Sequence, residues 1–294
     1  MGAVSLFAVD ELSLPTWDLV LCTVGRREEP ARLLDSLRVQ THRGFRVVVV
    51  DQNDDERLAP VLARYAELDV LHLHAPRGLS RSRNAALPHL RAELVAFPDD
   101  DCAYPADLLE RAARRFAEDP GLDGLTGRDT DSGGHGSRAW PDSRERVTAQ
   151  NVWYYGLSAA VFLRRSLIEL VGSFDERLGL GSATPWSSGE EVDYLIRAAR
   201  LGARAEYDPE LAVEHETRKL DRDALRAIGR RDGGSVGYLL GKHGYPRRSV
   251  ARMLVRPVGG TALSLARRDP ARARFHLNTL RGRLAGYASR RPEP

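Results

Sequence analysis

The sequence predicts an α/β protein built on an open, mostly parallel sheet with flanking helices, followed by a basic helical extension. Two observations predict the sheet. Leu19–Thr23 and Arg46–Val50 are short apolar runs rich in β-branched residues, which suit strands buried on both faces of a parallel sheet. Segments with apolar residues at helical spacing alternate with such runs, as expected for parallel strands joined by crossover helices. A chain of 294 residues is long enough for one large domain or two modest ones.

Local patterns justify each element up to residue 127. Glu28–Gln40 carries leucines at helical spacing, with Pro30 in the first turn, where its missing N–H does least harm. The same alternation continues along the chain. The further predicted helices are Asp54–Leu68, Leu79–Arg91 and Pro105–Glu118, and the further predicted strands are Val70–His74 and Leu94–Phe97.

The alternation of predicted strands and helices stops after residue 127. Arg128–Gln150 is rich in Gly, Ser, Asp and Arg without a period, which predicts a mobile loop. From Asp221 onward, helical segments alternate with Gly and Arg without a sheet pattern. The elements predicted in between are the strand Leu157–Leu163, the helix Val192–Leu201 closed by Gly202, and the short strands Arg204–Tyr207 and Leu211–Glu214.

Charge and cysteine content bound the class of protein. Residues 221–294 carry 17 Lys/Arg and 5 Asp/Glu, whereas residues 1–220 carry 27 and 36, so an acidic body precedes a basic tail. No apolar run approaches the roughly 18–20 residues of a membrane span. The early run Ala3–Val9 lacks a basic flank and is a poor signal peptide. Two cysteines, Cys22 and Cys102, cannot build a disulfide framework or a four-ligand zinc site, which favours a reduced, cytoplasmic compartment.

Several common site motifs are missing from the sequence. It contains no G-x-x-x-x-G-K-[ST] loop, which argues against a P-loop nucleotide hydrolase. Gly179-Leu180-Gly181 neither follows a predicted strand nor continues to G-x-x-G, so the dinucleotide-binding fingerprint also fails. The H-E-x-x-H and G-x-S-x-G motifs do not occur.

Polar residues at strand ends are the first candidates for a site, because ligands of open parallel sheets bind outside the carboxyl ends of the strands. The candidates are Thr23, Gly25 and Arg26 after the first strand, the run Asp51-Gln52-Asn53-Asp54-Asp55 after the second, and Asp99, Asp100 and Asp101 after the fourth. Three adjacent carboxylates repel one another unless a cation or strong donors compensate. The run therefore predicts a Mg²⁺ or Mn²⁺ site with a diphosphate ligand, or else Asp101 caps the helix that opens near Pro105.

A second acidic group opens the predicted helix at Glu190, Glu191 and Asp193. Carboxylates in a first helical turn favour the helix dipole, which is a sufficient structural explanation. The long glycine-rich approach Leu178–Ser188 carries Trp186, as an acceptor pocket or a lid would. His215 follows the last short strand and is either a metal ligand or a core histidine.

In order and spacing, these segments resemble glycosyltransferase family 2, the inverting nucleotide-sugar transferases of the GT-A fold. The resemblance runs from Leu19 to about His215. The matching segments are LCTVGRREEPARLLDSLRVQT, VVVVDQNDD, GLSRSRNAAL, FPDDDCAYPADLL, LIELVGSFDERLG, GEEVDYLIRAARLG and YDPELAVEH. Glu191 stands where the family usually has Asp, and Gln52 replaces an acidic residue common after the first Asp.

The resemblance implies a role for each candidate residue. Those implied for the nucleotide are Thr23, Gly25, Arg26, Asp51 and Asp99, with Arg83 near the diphosphate. Those implied for the metal are Asp100, Asp101 and His215, although the triple run permits two registers. Glu191 is implied as the catalytic base with Glu190 as second candidate, and Trp186 and Asp193 would lie on the acceptor side.

The implied function is metal-dependent transfer of a sugar, with inversion, from a nucleoside-diphosphate donor to a hydroxyl of a saccharide or lipid-linked acceptor. Residues 1–220 would form the GT-A domain, with a nucleotide-binding half at about 17–127 and an acceptor half at about 128–220. The basic extension, 221–294, would either lie peripherally on the inner face of an anionic membrane or be a solvated helical extension that covers the sheet or pairs with the acidic body. It has few aromatics for stacking on bases, so nucleic acid is not an expected partner.

Two alternatives from other classes remain open at this point. A sugar-nucleotide-forming nucleotidyltransferase also uses an α/β sheet and metal carboxylates. It is expected to carry a glycine- and Lys/Arg-rich loop after the first strand, and Gly25-Arg26-Arg27 matches such a loop only weakly. A non-catalytic nucleotide-sugar-binding protein of the same fold is the other.

Overall fold

A computed structural model describes residues 14–215 and 222–289. The early apolar run Ala3–Val9 and the boundary predicted between residues 220 and 221 lie outside these residues. The strands are β1 (Trp17–Thr23), β2 (Phe45–Asp51), β3 (Val70–His74), β4 (Leu94–Ala96), β5 (Cys102–Ala103), β6 (Gly124–Thr130), β7 (Glu145–Val147), β8 (Val161–Arg164) and β9 (Ala205–His215). The helices are α1 (Glu29–Arg38), α2 (Ala59–Leu62), α3 (Leu79–Ala86), α4 (Leu108–Glu118), α5 (Val152–Tyr155), α6 (Arg165–Val171), α7 (Glu190–Arg200), α8 (Arg222–Lys242), α9 (Arg247–Ala266) and α10 (Pro270–Ala288).

The strands of the described residues form one mixed sheet in the order β3-β2-β1-β4-β8-β6-β9-β5, with β7 paired to β9. Strands β1 to β4 run parallel, β8 is antiparallel to β4 and β6, and β6 and β9 are parallel. The predicted α/β class is confirmed, and the sheet is parallel throughout its first half. The carboxyl ends of β1, β2 and β4 therefore meet at one edge.

The core lies on both faces of the sheet, as the β-branched runs predict. Val47 and Val49 pack with α1 and α4 on one face, whereas Val48 and Val50 pack with α3, α6 and α7 on the other. All four valines are fully buried. Each buried side chain of this size contributes roughly 1.5–3 kcal/mol to folding, so the runs that predict the sheet also stabilise it.

Several predicted boundaries differ from the structure, and the predicted strand Leu157–Leu163 becomes β8 after a 3₁₀ turn at Ser158–Ala160. Asp54–Leu68 is helical only over α2 and a 3₁₀ turn at Ala63–Tyr65. Arg128–Gln150 is not a loop throughout, because it contains the end of β6 and all of β7. Its Trp140 stacks on Tyr207 and donates a 2.7 Å hydrogen bond to Asp129. Strand pairing holds β6, whose sequence GLTGRDT carries little apolar signal.

The two short strands predicted near the end of the body are one strand, β9. Its pairing with β6 shifts register between Thr126 and Arg128. At Gly127 a Cβ atom would lie 1.9 Å from the carbonyl oxygen of Leu211, so only glycine fits this irregularity. Gly202 closes α7 in a left-handed conformation with φ 89°, as predicted.

Glycines bring α8 and α10 into backbone contact. A Cβ atom at Gly286 would lie 2.0 Å from the oxygen of Gly234, and one at Gly237 would lie 2.1 Å from the oxygen of Arg283. At Gly282 the corresponding distance to the oxygen of Arg230 is 2.3 Å. Gly234 and Gly237 are three positions apart and Gly282 and Gly286 are four apart, which places each pair on one face of its helix. We call this set, Gly234, Gly237, Gly282 and Gly286, the glycine contact.

The extension also packs against the body through α8. The Trp186 ring stacks on the Tyr238 ring with centroids 5.4 Å apart and planes at 9°. Leu239, fully buried, sits against Gly189 at the start of α7. In the described part of the chain, no helix combines the length and apolar character needed to cross a membrane.

Candidate active site

A cavity of about 580 Å³ opens at the sheet edge where β1, β2 and β4 end. Its walls come from the strand ends, the start of α3, the loop before α7, and α8. The predicted site residues that line it are Arg26, Arg83, Asp99, Asp100, Asp101, Glu190, Glu191 and His215. Residues far apart in sequence are thus brought to one cavity by the parallel strands and by the pairing of β9.

Two donors hold Asp100 at the floor of the cavity. The Thr23 hydroxyl donates a 2.7 Å hydrogen bond to Asp100 Oδ2, and Arg26 Nη1 lies 2.9 Å from Asp100 Oδ1. Burial raises the pKa of Asp100 to about 6, against the opposing effect of these two partners. Arg26 also donates a 2.9 Å hydrogen bond to Asp101, so one guanidinium bridges two of the three carboxylates.

Asp99 and Asp101 instead face His215. The imidazole Nε2 lies 3.2 Å from Asp101 Oδ1 and 3.9 Å from Asp99 Oδ2. Antiparallel pairing of β5 with β9 places His215 opposite Cys102, directly after the aspartates. The hydrogen bond between His215 and Asp101 raises the pKa of His215, and together with Arg26 it outweighs burial and lowers the pKa of Asp101. Carboxylate oxygens with an imidazole suit Mn²⁺, and the carboxylates suit Mg²⁺, so this donor set fits the implied cation.

Asp51 shapes the loop after β2 from behind the cavity. Its Oδ1 accepts hydrogen bonds from the backbone N–H and the side-chain amide of Asn53, at 2.8 and 2.7 Å. The Asn53 side chain then accepts a 2.7 Å hydrogen bond from the Gly25 backbone. Asp51, Gly25 and Thr23 do not line the cavity; the neighbouring Gln52 does, and it accepts a 2.8 Å hydrogen bond from the Gly78 backbone.

The two adjacent glutamates at the start of α7 have different surroundings. Glu190 is buried and its Oε1 lies 3.2 Å from Nη1 of the buried Arg83. Glu191 lies on the cavity and is half-buried. Burial, and next the charge of Glu190, raise the pKa of Glu191 well above its ordinary value. A carboxyl with a raised pKa that faces a cavity is suited to accept a proton near neutral pH.

Trp186 and Asp193 do not reach this cavity. Trp186 stacks on Tyr238 and lines a separate surface depression beside α8 and α10. Asp193 is fully buried and contacts Lys242 Nζ at 2.7 Å and His243 Nε2 at 2.8 Å. Both residues contact α8, and their role on the acceptor side stays a prediction.

Several residues that line the cavity were not predicted from sequence. Arg231 reaches it from α8, and Arg77 reaches it from the loop after β3. Ser158 links two walls, since its hydroxyl lies 3.3 Å from Asp99 Oδ1 and accepts a hydrogen bond from Arg83. Arg231 belongs to an obvious Arg-Arg pair, but only the packing of α8 against the body directs it to the site.

The sequence profile of glycosyl transferase family 2 matches residues 18–171. The match covers the strand-end residues after β1, β2 and β4, including Asp99–Asp101, and ends before Glu191 and His215. The chain belongs to this family. The family 2 assignment confirms the resemblance on which the residue roles were based.

Curated relatives agree with the family. The chain is 30% identical over 229 residues to a pre-mycofactocin glycosyltransferase of Mycobacterium tuberculosis, a match that covers 72% of this chain and 45% of that protein. It is 24% identical over 104 residues to an uncharacterized glycosyltransferase of Haemophilus influenzae, covering 35% of each chain. The family 2 chain thus spans less than half of the mycobacterial relative that it matches.

Solved structures share the fold. Residues 1–349 of S. aureus TarS, in complex with UDP-GlcNAc, superpose with a TM-score of 0.62 at 18% identity, covering 92% of this chain and 90% of that one. The mannosyltransferase PcManGT from Pyrobaculum calidifontis, in complex with GDP-Man and Mn²⁺, gives a TM-score of 0.62 at 17% identity, covering 94% and 89%. The GT-A fold predicted for the family 2 chain is confirmed.

Proposed function

We propose that this chain is a metal-dependent inverting glycosyltransferase that moves a sugar from a nucleoside-diphosphate donor to a hydroxyl of a saccharide or lipid-linked acceptor. One observation carries the proposal. A carboxylate–imidazole donor set at Asp99, Asp101 and His215 shares a cavity with Glu191, a carboxyl whose pKa burial raises. Relatives named as glycosyltransferases, and structural neighbours bound to UDP-GlcNAc and to GDP-Man with Mn²⁺, support it.

The donor would lie along the strand ends. Asp51 and Asn53 hold the loop of Gly25, while Gln52 and Arg26 face the cavity from which the nucleoside would be contacted. Asp99, Asp101 and His215 would hold Mg²⁺ or Mn²⁺, and Thr23 and Arg26 keep Asp100 in place beside them. When bound, such a cation neutralises charge on a departing diphosphate. Arg83 and Arg231 add positive charge on the cavity walls.

Glu191 would act as the base. It takes the proton from the acceptor hydroxyl, whose oxygen then attacks the anomeric carbon on the face opposite the diphosphate, so the configuration inverts. Glu190 is a poorer candidate because its carboxylate is committed to Arg83. The same ion pair fixes the start of α7, and thereby the direction in which Glu191 enters the cavity.

The extension would bring the enzyme to an anionic membrane. Helix α9 contains no Asp or Glu between Arg247 and Ala266 but four arginines, Arg247, Arg248, Arg252 and Arg256. Among the outward-facing side chains of this helix are large apolar ones, Val255, Val258, Leu263 and Leu265. Apolar side chains flanked by cations suit the surface of an anionic bilayer, and each cation close to it contributes about 1 kcal/mol. We infer a cytoplasmic enzyme held peripherally at the inner face of the cell membrane.

Thermal unfolding against UDP, dTDP, GDP, CDP and ADP, each with Mn²⁺ or with EDTA, tests the donor site. One nucleoside diphosphate should raise the unfolding midpoint with Mn²⁺ and not with EDTA. At 100 times its dissociation constant, the ligand should add about 2.7 kcal/mol to the free energy of unfolding. Asp101→Asn should remove the midpoint shift. Asp107→Asn should keep it, because Asp107 is an exposed carboxylate directly before α4. A chain that no nucleotide stabilises would instead be a binding or scaffold protein.

Sedimentation with vesicles tests the membrane contact. The chain should sediment with phosphatidylglycerol vesicles and not with phosphatidylcholine vesicles. Val255→Glu combined with Leu265→Glu should abolish sedimentation. Leu170→Glu, at an equally exposed leucine on α6, is the matched control and should sediment like the wild type. Equal sedimentation of the double variant would contradict the contact.

A further inference from the structure

We propose that Asp51, His72 and His74 form a second cation site, which binds a borderline transition metal such as Zn²⁺ and is separate from the carboxylate site at Asp99 and Asp101. Each of the three residues offers one ligand atom, and these atoms all lie within 4.8 Å of one another. The site goes beyond the proposed transfer reaction, which assigns no role to either histidine.

Strand pairing assembles the site. His72 and His74 are two residues apart on β3, so their side chains lie on the same face of the sheet. In the parallel pairing of β2 with β3, Asp51 stands opposite His74. The two imidazole rings have centroids 4.7 Å apart, and His72 Nε2 already lies 3.3 Å from Asp51 Oδ2.

Each ligand has the freedom or the restraint that a metal site needs. Asp51 is fully buried, and its Oδ1 is held by Asn53, which leaves Oδ2 directed to His72. Donor atoms around a tetrahedral Zn²⁺ lie about 3.4 Å apart, given bonds of about 2.1 Å. The exposed His74 closes the remaining distance by rotating its side chain, because β3 is the edge strand of the described sheet.

The chemistry of the donors separates this site from the first one. Two imidazoles and one carboxylate suit Zn²⁺, Ni²⁺ or Cu²⁺, whereas Mg²⁺ prefers oxygen ligands and keeps several waters. With three protein ligands, one position remains open for water. The first site holds only one imidazole, His215, so excess Mg²⁺ should compete with Zn²⁺ more effectively there than at the site with two histidines, and His215→Ala distinguishes the two.

The site is connected to the loop that carries Arg26. Asp51 accepts hydrogen bonds from Asn53, and Asn53 accepts one from the Gly25 backbone. A cation that fixes Asp51 therefore also restrains Gly25, one residue before Arg26. We expect Zn²⁺ to tighten the binding of the preferred nucleoside diphosphate; this coupling rests on the proposed function, whereas zinc binding itself does not.

Isothermal titration with Zn²⁺ in excess Mg²⁺, on the full chain, tests the site. The wild type should bind one equivalent of Zn²⁺. His74→Ala should weaken that binding by at least about tenfold, since it removes one of three ligands. His89→Ala, at another exposed histidine, and His215→Ala, at the first site, should both retain it.

The possible outcomes separate cleanly. Absence of zinc binding in the wild type overturns the proposal, and so does unchanged binding in His74→Ala. Loss of the equivalent in His215→Ala would move the zinc to the carboxylate site and also overturn it. His74 is exposed, so circular dichroism of His74→Ala should match the wild type. Failure of every nucleotide to bind would refute the transferase assignment while leaving the zinc equivalent intact.

Discussion

The body and the extension are held together in opposite ways. In the body, buried strands such as β2 bring large side chains to both faces of the sheet, and Val47 to Val50 are all fully buried. In the extension, α8 and α10 meet where side chains are missing, at the glycine contact. A core built from large side chains leaves an apolar period in the sequence, so its elements can be predicted. A contact between two backbones leaves no such period, so it cannot be predicted in this way.

The largest expected effect is a loss of kcat when Glu191, the proposed base in the body, is replaced. Glu191→Gln should lower kcat by about 10²–10⁴-fold, because it removes the proton acceptor. Glu169→Gln, on the exposed surface of α6, should change kcat less than twofold. The wild-type kcat should rise with pH through the raised pKa of Glu191, so its acid limb should lie above the ordinary glutamate range of about 4.3. A limb at or below that value would contradict the assignment of the base.

The second-largest expected effect concerns Lys242, which connects α8 of the extension to the body. Lys242 Nζ lies 2.8 Å from Asp175 and 2.7 Å from Asp193, and it is largely buried. Lys242→Met should lower the free energy of unfolding by about 1.5–3 kcal/mol at neutral pH, because it removes one charged donor from the buried Asp193 and the partly buried Asp175, which keep Arg197 and Arg177 as partners. Lys242→Arg should recover part of this loss. Urea unfolding of the three proteins measures it.

The contacts of Lys242 with Asp175 and Asp193 also predict that the free energy of unfolding depends on pH in the acid range. Burial would raise the pKa of Asp175 and Asp193, but hydrogen bonds from Arg177 and Lys242 to Asp175, and from His243 and Lys242 to Asp193, lower both on balance. The stability they contribute is therefore present above their ordinary pKa of about 3.9 and is lost as the pH falls through the lowered values. The stability difference between the wild type and Lys242→Met should shrink below about pH 4; a constant difference would contradict this account.

A smaller effect tests whether the extension takes part in donor binding. Arg231 lines the cavity, and the adjacent Arg230 does not. Arg231→Met should weaken nucleoside-diphosphate binding about ten- to a hundredfold, as expected for loss of a hydrogen bond from a charged group. Arg230→Met should bind as the wild type does. Equal affinities for the two variants would confine the donor site to the body.

The smallest effect tests the glycine contact itself. Gly286→Ala should lower the free energy of unfolding by about 1–3 kcal/mol, because the new methyl group would press on the carbonyl oxygen of Gly234. Gly259→Ala, in α9 with open space around it, should instead raise it by about 0.5–1 kcal/mol. Changes of the same sign in both variants would contradict the close packing.

Much of the body was predictable because each inference needed only short-range pattern. Strand ends place Thr23, Arg26 and the Asp99–Asp101 run at one sheet edge, and their spacing matches a known family. The positions of Trp186 and Asp193 were not predictable, since both depend on the docking of α8, more than 40 residues further along the chain. Arg231 escaped notice for the same reason. Local pattern identified the α7 glutamates, but only the long-range ion pair of Glu190 with Arg83 distinguished Glu191 from Glu190.

The glycine contact also governs how motion passes through the molecule. Side chains between two helices can change rotamer and absorb a small displacement, but two touching backbones have nothing to rearrange. Helices α8 and α10 are therefore expected to shift as one body. Since α8 carries Arg231 on the cavity wall, a force applied to α10 from outside would reposition a charge beside the donor. A surface that holds the extension would in this way set the electrostatics of the cavity at a distance.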